Sequence, residues 1–164
     1  MSKEYDFIKA CWCQPVDRVP VWLMRQAGRY LQCYKDVRAK GGGTFLDLCK
    51  DPARAAEVTI QPIDILDVDA AILFSDILTP IEPMGMALDF VPGPVFEKPL
   101  FERSNPLAGL NPDPSKLNYI YDVVDEIIRT KPANIPLIGF CGAPLTVLLF
   151  MLQGLGRKGD FPDA

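Results

Sequence analysis

The chain has 164 residues, of which 49% are hydrophobic and 23% charged, and its formal net charge is −4. This balance excludes an intrinsically disordered chain and argues against a nucleic-acid binder, which usually presents a basic surface. No apolar run of about 18 residues is present, and residues 1–6 lack the apolar core of a secretory signal. We therefore expect no membrane span and a cytoplasmic location, although a plastid protein whose targeting segment was removed would show the same pattern.

Short apolar runs alternate with helical patterns along the chain. The runs are typical of strands covered on both faces of a parallel sheet, and they cover Val19–Met24, Asp69–Phe74 and Ile135–Phe140. Asp-Pro pairs predict helix starts at residues 51–52, opening a helix to Leu66, and at residues 113–114. A third helix is predicted from Pro144 through Met151.

Two further patterns complete the predicted elements. After residue 114, apolar residues recur at helical spacing, which predicts an amphipathic helix with one buried stripe; its members are Leu117, Ile120, Tyr121, Val124, Ile127 and Ile128. Residues 86–100 alternate apolar and polar side chains around Pro92-Gly93-Pro94, which predicts a hairpin outside the main sheet. The alternation of strands and helices indicates a parallel α/β fold, either an open sheet or a barrel.

Two arginines follow the first apolar run closely. Residues 25–29 read Arg-Gln-Ala-Gly-Arg, and the window from Arg25 to Lys40 carries a net charge of +4, which leaves −8 on the rest of the chain. Guanidinium groups are always charged and match the geometry of carboxylates and phosphates. This basic segment predicts a site for a small polyanion; the alternative is that Arg25 and Arg29 form ion pairs with the chain's own acids.

Asp76 follows the second predicted strand directly, among Phe74, Ile77 and Leu78. Reactive groups of α/β folds lie where strands end at their carboxyl side, and a carboxylate among apolar neighbours needs a donor or a proton. Asp76 is therefore a candidate catalytic carboxylate. The alternative is an N-cap for a following helix.

Metal chemistry has little support in the sequence. The five cysteines lack the spacing of a zinc site, and the chain contains no histidine. We predict no metal ion and free thiols. No glycine-rich nucleotide-binding motif follows a strand.

Several motifs resemble uroporphyrinogen decarboxylases, in the order that this family has them. They are Arg25-Gln26-Ala27-Gly28-Arg29, Phe45-Leu46-Asp47-Leu48-Cys49-Lys50, Phe74-Ser75-Asp76-Ile77-Leu78, Gly93-Pro94-Val95-Phe96 and Gly139-Phe140-Cys141-Gly142-Ala143-Pro144. The resemblance covers nearly the whole chain. It implies a cofactor-free lyase of haem and chlorophyll biosynthesis that removes acetate carboxylates from uroporphyrinogen to give coproporphyrinogen.

The resemblance also implies roles for residues. Arg25, Arg29 and Asp76 correspond to the catalytic residues, with the arginines on substrate carboxylates and Asp76 on the pyrrole N–H groups. Substrate contacts are implied for Arg25, Gln26, Ala27, Gly28, Arg29, Arg38, Asp76 and Phe150. The implied partners are the porphyrinogen substrate and either a second copy of the chain or a complementary half-barrel, with no nucleic acid and no membrane.

The sequence departs from the family pattern in two ways that affect function. Phe150 stands where the family has a tyrosine whose hydroxyl helps to hold the catalytic aspartate. The family has eight-stranded (β/α) barrels about twice as long, and the serine and histidine of its later half are missing here. We therefore expect residues 1–164 to form one undivided N-terminal portion of a (β/α)8 TIM barrel, too short to close alone and inactive alone. The alternative function is a truncated, non-catalytic module that binds porphyrinogens or acts as a scaffold.

Overall fold

A computed structural model describes residues 5–91 and 93–154. Its helices are α1 (Asp6–Cys11), α2 (Gln32–Gly41), α3 (Phe45–Lys50), α4 (Pro52–Leu66), α5 (Asn118–Thr130) and α6 (Pro144–Gln153). Its strands are β1 (Ala71–Ile72), β2 (Leu88–Phe90), β3 (Pro94–Phe96) and β4 (Leu137–Ile138). Short 3-10 helices cover Leu100–Glu102 and Pro114–Leu117.

The chain divides into two compact units. Among the described residues, the first comprises residues 5–43, 47–75 and 119–140, and the second comprises residues 44–46, 76–91, 93–118 and 141–154. Each unit has its own buried apolar clusters. The prediction of one undivided domain over residues 1–164 stays a prediction.

The first unit contains a parallel strand pair. β1 and β4 pair with Ala71 opposite Leu137 and Ile72 opposite Ile138. Parallel strands need a crossover connection, and α5 lies within it. Apolar residues of α4 and α5, including Ala55, Val123 and Ile127, bury together beside this pair. The second and third predicted strands are therefore confirmed, in shorter form.

The helix starts predicted from Asp-Pro pairs are confirmed. The Asp51 side chain accepts a hydrogen bond from the Arg54 N–H at 3.0 Å, and Pro52 occupies the first turn of α4. Asp113 caps the following 3-10 turn in the same way, accepting from the Ser115 N–H at 3.1 Å. Both caps satisfy backbone donors that a helix start leaves free.

The predicted buried stripe of α5 is wrong in part. The helix buries Val123 and Ile127, whereas Tyr121 and Ile128 are 70% and 54% exposed. Both faces of this helix carry apolar residues, so their spacing alone does not decide which face packs. The face that contacts α4 is the buried one.

The first predicted strand, Val19–Met24, is wrong. Residues 19–23 form no regular strand, and Val19 and Val21 are exposed. The Asp69 N–H donates to the Val21 carbonyl at 2.8 Å, but the Val21 N–H donates to the Asp69 carboxylate at 2.7 Å. Arg18 donates to the same carboxylate. A side chain thus takes the place that a neighbouring strand's carbonyl would occupy.

Gln26 fixes the end of the segment formed by residues 19–23. Its side chain is 0% exposed; the carboxamide oxygen accepts from the Leu23 N–H at 3.2 Å, and the amide donates to the Ala70 carbonyl at 3.0 Å. The Ala70 carbonyl is buried and the Leu23 N–H is partly buried, and both are bonded by this one side chain. Gln26 therefore anchors the start of the arginine-containing turn to the residue before β1.

We expect Gln26→Leu to lower the free energy of unfolding by about 1–3 kcal/mol, because it leaves the buried Ala70 carbonyl without a partner and removes the acceptor of the Leu23 N–H. Urea unfolding of both proteins gives this difference. Gln32→Leu is the control, since the Gln32 amide bonds only the exposed Asp36, and a change within about 0.5 kcal/mol is expected. Equal effects of the two substitutions would refute the anchoring role.

The second unit is built from the predicted hairpin and α6. β2 and β3 pair antiparallel, with Asp89 opposite Val95, which confirms the hairpin. Its core consists of Leu78, Ile81, Met86, Phe96, Leu100 and Met151. The last residue belongs to α6, and Pro144 lies in the first turn of that helix, as predicted.

Candidate functional site

Two tight turns present Arg25 and Arg29. The Gln26 N–H donates to the Leu23 carbonyl at 3.1 Å, and the Leu31 N–H donates to the Gly28 carbonyl at 3.0 Å. The Tyr30 hydroxyl closes the loop by donating to the Gln26 carbonyl. The backbone of this arginine turn (residues 25–29) is therefore held by its own hydrogen bonds, while the two guanidinium groups are left to solvent.

Arg25 and Arg29 are exposed, and neither forms an ion pair with any residue that the structure describes. Other arginines of the first unit are paired: Arg18 with Asp69, Arg54 with Asp51 and Arg129 with Glu126. The alternative reading, that Arg25 and Arg29 neutralise the chain's own acids, therefore has no support in the described part of the chain. Both guanidinium groups are available to an external anion.

Arg38 lies on α2, in the same unit. Its Nη1 atom is buried and has no hydrogen-bond partner among the described residues. A buried guanidinium nitrogen without an acceptor is costly, and each such group in a native structure calls for an explanation. An anionic ligand would supply the acceptor that the protein does not.

Tyr34 lies one helical turn before Arg38. It is 6% exposed and packs with Leu31, Val37, Leu48 and Val58. Burial raises the pKa of the Tyr34 hydroxyl, and the nearby positive charges of Arg38 and Arg29 act in the opposite direction. The sequence analysis did not single out Tyr34, although its spacing of four residues from Arg38 was visible.

The two small residues between the arginines, Ala27 and Gly28, hold the turn in different ways. Ala27 is half-buried and packs against the cluster that contains Tyr34. Gly28 supplies the carbonyl that closes the turn onto Leu31. Their predicted substrate contacts, like that of Gln26, stay predictions; what the structure gives them is a part in holding the arginine turn.

Asp76 belongs to the second unit. One carboxylate oxygen accepts from the Leu78 N–H at 2.8 Å, and its own carbonyl accepts from the Thr79 hydroxyl at 2.6 Å. These bonds form a turn rather than the N-cap of a helix, since residues 77–80 are not helical. Burial raises the pKa of the Asp76 carboxyl, and the single backbone hydrogen bond from Leu78 only partly opposes this. No cation is paired with it in the described ranges.

Gly142 lies against the turn that carries Asp76. A Cβ atom on Gly142 would lie 2.5 Å from Val147 Cγ2 and 3.0 Å from the Ile77 carbonyl oxygen. No real side chain tolerates both contacts, so the loop before α6 approaches the Asp76 turn as closely as it does because residue 142 has no side chain. The glycine of the Cys141-Gly142-Ala143-Pro144 motif therefore has a packing reason.

Gly142→Ala should lower the free energy of unfolding by about 1–3 kcal/mol, because Ile77 must shift to admit the methyl group. Gly139→Ala is the matched control: a Cβ there meets nothing within 4 Å, and we expect no loss of stability. Thermal unfolding of the two variants measures the difference. A Gly142→Ala protein as stable as the control would contradict the close approach.

Phe150 lies on α6 in the second unit. It is half-buried and packs against the cluster that includes Leu78, the residue whose N–H binds Asp76. A phenylalanine ring fills this space without offering a hydroxyl to the carboxylate. The family's tyrosine would place a donor on the same ring.

The predicted site residues fall into two groups. Those of the arginine turn and Arg38 lie in the first unit, and Asp76 and Phe150 lie in the second. Within residues 5–91 and 93–154, no cluster of three or more metal-ligating side chains occurs. No described helix is long and apolar enough to cross a membrane.

An open groove of about 800 Å³ lies elsewhere in the first unit, at the start of α4. It is lined by Asp47, Lys50, Asp51, Arg54, Glu126 and Arg129, among others. Two of its arginines are already paired with its own acids, Arg54 with Asp51 and Arg129 with Glu126. This groove therefore does not offer the unpaired guanidinium groups that distinguish the arginine turn.

Comparison with known proteins establishes first the fold and then the family. A methyltransferase from Methanosarcina mazei superimposes with a TM-score of 0.69 over 92% of this chain and 46% of its own, at 16% identity. That likeness shows the fold and confirms the predicted portion of a (β/α) barrel. Among the described strands only β1 and β4 are parallel partners, so they do not close a barrel.

The family follows from sequence. A family model described as "Uroporphyrinogen decarboxylase (URO-D)" matches residues 2–160. The uroporphyrinogen decarboxylases of Geobacter sulfurreducens and Geotalea daltonii are 58% and 59% identical over 153 and 154 residues. Each alignment covers 93% of this chain and 44% of the relative, so the chain spans less than half the length of these relatives. The chain belongs to the uroporphyrinogen decarboxylase family.

Proposed function

We propose that this chain carries the carboxylate-binding arginines and the acidic residue of a uroporphyrinogen decarboxylase. One observation carries the proposal. This chain belongs to the family, and its Arg25 and Arg29 are exposed and form no ion pair in the described part of the chain. The activity is the removal of acetate carboxylates from uroporphyrinogen to give coproporphyrinogen, in haem and chlorophyll biosynthesis. The relatives carry this name, and the substrate of this chain is inferred from them.

The arginines bind the substrate's carboxylates. Arg25, Arg29 and Arg38 present forked donors that match the two oxygens of a carboxylate. A unit charge pair about 4 Å apart gains about 4 kcal/mol at an effective dielectric near 20, before desolvation is subtracted. Several such contacts hold a flexible polyacid and fix which side chain reacts.

Asp76 supplies the other half of the chemistry. One of its oxygens is occupied by the Leu78 N–H, and the other is left to accept pyrrole N–H groups. A carboxylate beside the ring favours the protonated, positively charged pyrrole. The electron pair of the breaking carbon–carboxylate bond passes into that ring and CO₂ leaves. A proton is then taken up at the remaining carbon to give a methyl group, and the ring releases the proton that it had gained, so that one proton replaces one CO₂ overall. No cofactor is needed for this sequence.

Catalysis requires strands beyond those described. A barrel needs about eight strands to bury its interior, and one parallel pair leaves strand edges open. We propose that a complementary half-barrel completes the site, and we also propose a homodimer and a cytoplasmic location. The competing function, a non-catalytic module that binds porphyrinogens, is favoured by Phe150, which offers no hydroxyl near Asp76.

A chimaera separates the two functions. This chain is joined to the remaining part of the Geobacter sulfurreducens relative, and the products formed from uroporphyrinogen are resolved by their number of carboxylates. We expect turnover by the chimaera and none by the chain alone. A folded chimaera that binds uroporphyrinogen without turnover would favour the non-catalytic module, and turnover by the chain alone would refute the need for further strands.

A further inference from the structure

We propose that Tyr34 is a substrate-binding residue, whose hydroxyl donates a hydrogen bond to the same carboxylate that Arg29 and Arg38 bind. The inference rests on the proposed function and adds a residue that neither the family motifs nor the relatives' names assign. Tyr34, Arg29 and Arg38 all belong to the first unit. The proposed hydrogen bond from Tyr34 is to one of the substrate's carboxylates.

Helix geometry places Tyr34 beside Arg38. The two residues are four apart on α2 (Gln32–Gly41), and side chains at this spacing lie on the same face of a helix. The Tyr34 ring is held in the core and contacts the Phe74 ring at a centroid distance of 5.8 Å and an interplanar angle of 58°. Phe74 is itself fixed, since its N–H donates to the Thr59 hydroxyl at 3.0 Å.

A ring held from two sides has little freedom to move its hydroxyl. The position of that oxygen is therefore set before any ligand arrives, which lowers the entropic cost of binding. Packing of this kind explains a buried aromatic ring at position 34. It does not explain the hydroxyl, because phenylalanine would fill the same space.

Neither the Tyr34 hydroxyl nor the Arg38 Nη1 atom has a hydrogen-bond acceptor among the described residues. The Arg38 Nη1 atom is buried, whereas the Tyr34 oxygen is open to solvent and so can be reached by a ligand. A guanidinium group has donors only, and a neutral tyrosine hydroxyl has one donor. The ligand that satisfies both at once is an anion with two acceptor oxygens, which a carboxylate provides.

Charge fits the same ligand. The positive charges of Arg29 and Arg38 both act to lower the pKa of Tyr34, so both guanidinium groups are close enough to influence its hydroxyl. Burial is the larger influence and raises the pKa of Tyr34, so the hydroxyl keeps its proton and remains a donor at neutral pH. A neutral donor within reach of two cations strengthens carboxylate binding without adding charge.

The test is a titration of the chain with uroporphyrin, a stable octacarboxylate porphyrin. Tyr34→Phe removes the hydroxyl and keeps the ring, so we expect about 5- to 20-fold weaker binding and an unchanged unfolding midpoint. Tyr121→Phe is the matched control, because Tyr121 is 70% exposed on α5 and its hydroxyl forms no hydrogen bond within the described residues. Equal affinities of the wild type and Tyr34→Phe would overturn the proposal.

Two further measurements separate the possible failures. If Arg29→Ala, Arg38→Ala binds uroporphyrin as the wild type does, the arginine site and with it part of the proposed function are refuted. If that double variant loses affinity while Tyr34→Phe does not, only the Tyr34 proposal falls. Difluorotyrosine at position 34 keeps the side-chain shape and ionises at a lower pH than tyrosine, so the affinity of this variant for uroporphyrin should begin to fall at a lower pH than that of the wild type; parallel profiles would also overturn the proposal.

Discussion

Asp76→Asn is expected to abolish nearly all decarboxylation in the chimaera without harming the fold. The asparagine side chain keeps an oxygen for the Leu78 N–H, which the carboxylate accepts at 2.8 Å, but it carries no negative charge to stabilise a protonated pyrrole. Loss of one such electrostatic group typically costs about 10²- to 10³-fold in kcat. Steady-state kinetics with uroporphyrinogen measure the loss.

Although Asp76→Asn should lower activity, the same substitution should not lower stability at pH 7. The folded-state pKa of Asp76 is raised by burial, so the group's contribution to stability is present in full below its unfolded pKa and is lost as pH rises through the folded value. Asparagine does not ionise. The variant chain should therefore be as stable as the wild type or more stable at pH 7, and the difference should shrink as the pH falls through the raised pKa of Asp76 towards the ordinary aspartate value.

Urea unfolding of the chain at pH 7 and at acidic pH measures this difference. Asp36→Asn is the control, because Asp36 is exposed on α2 and its carboxylate accepts a hydrogen bond from the Gln32 side chain. An Asp76→Asn protein that is less stable than the wild type at pH 7 would mean that the carboxylate is a structural group. An Asp76→Asn chimaera with full kcat would remove Asp76 from the chemistry.

The second large effect is expected from the double variant Arg25→Ala, Arg29→Ala. Two charge-assisted contacts to substrate carboxylates are lost, and we expect kcat/KM of the chimaera to fall by about 10²-fold or more, mainly through KM. Stability should change by no more than about 0.5 kcal/mol, because both side chains are exposed and neither forms an ion pair in the described part of the chain.

Two comparisons sharpen this result. Arg25→Lys, Arg29→Lys keeps the charge and loses the forked donors, so its kcat/KM should lie between those of the alanine variant and the wild type. Arg18→Ala is the contrasting control: Arg18 is bound to Asp69, so its loss should lower stability rather than act on KM alone. If the alanine double variant unfolds as readily as Arg18→Ala, the two arginines have structural partners after all.

Local features of the fold were predictable from sequence because their causes lie within a few residues. Asp51 and Asp113 cap the turns that begin at the prolines after them, and the hairpin of residues 88–96 pairs as its alternation indicates. The prediction of a strand at Val19–Met24 was wrong because a strand also needs a neighbouring strand to pair with, and that neighbour is distant in sequence. Its Val21 N–H is taken by the Asp69 side chain, 48 residues away, instead of a neighbouring strand's carbonyl.

In the candidate site, too, the local pattern was predictable from sequence, whereas features that depend on tertiary packing were not. The pattern Arg25-Gln26-Ala27-Gly28-Arg29 indicated an anion site, and the absence of ion pairs at both arginines in the described residues agrees with it. The burial of Gln26 beneath that turn was not predictable, because a glutamine at this position reads equally well as an exposed contact. The unpartnered Arg38 Nη1 was not predictable either, since it depends on how α2 packs.

The most direct test of the account is a uroporphyrin binding isotherm for the chain and for Arg25→Ala, Arg29→Ala, at one ionic strength near 0.15 M so that screening is equal. If these guanidinium groups exist to bind the carboxylates of a tetrapyrrole, the double variant binds at least about 10-fold more weakly than the wild type. Superimposable isotherms from two equally folded proteins would contradict it.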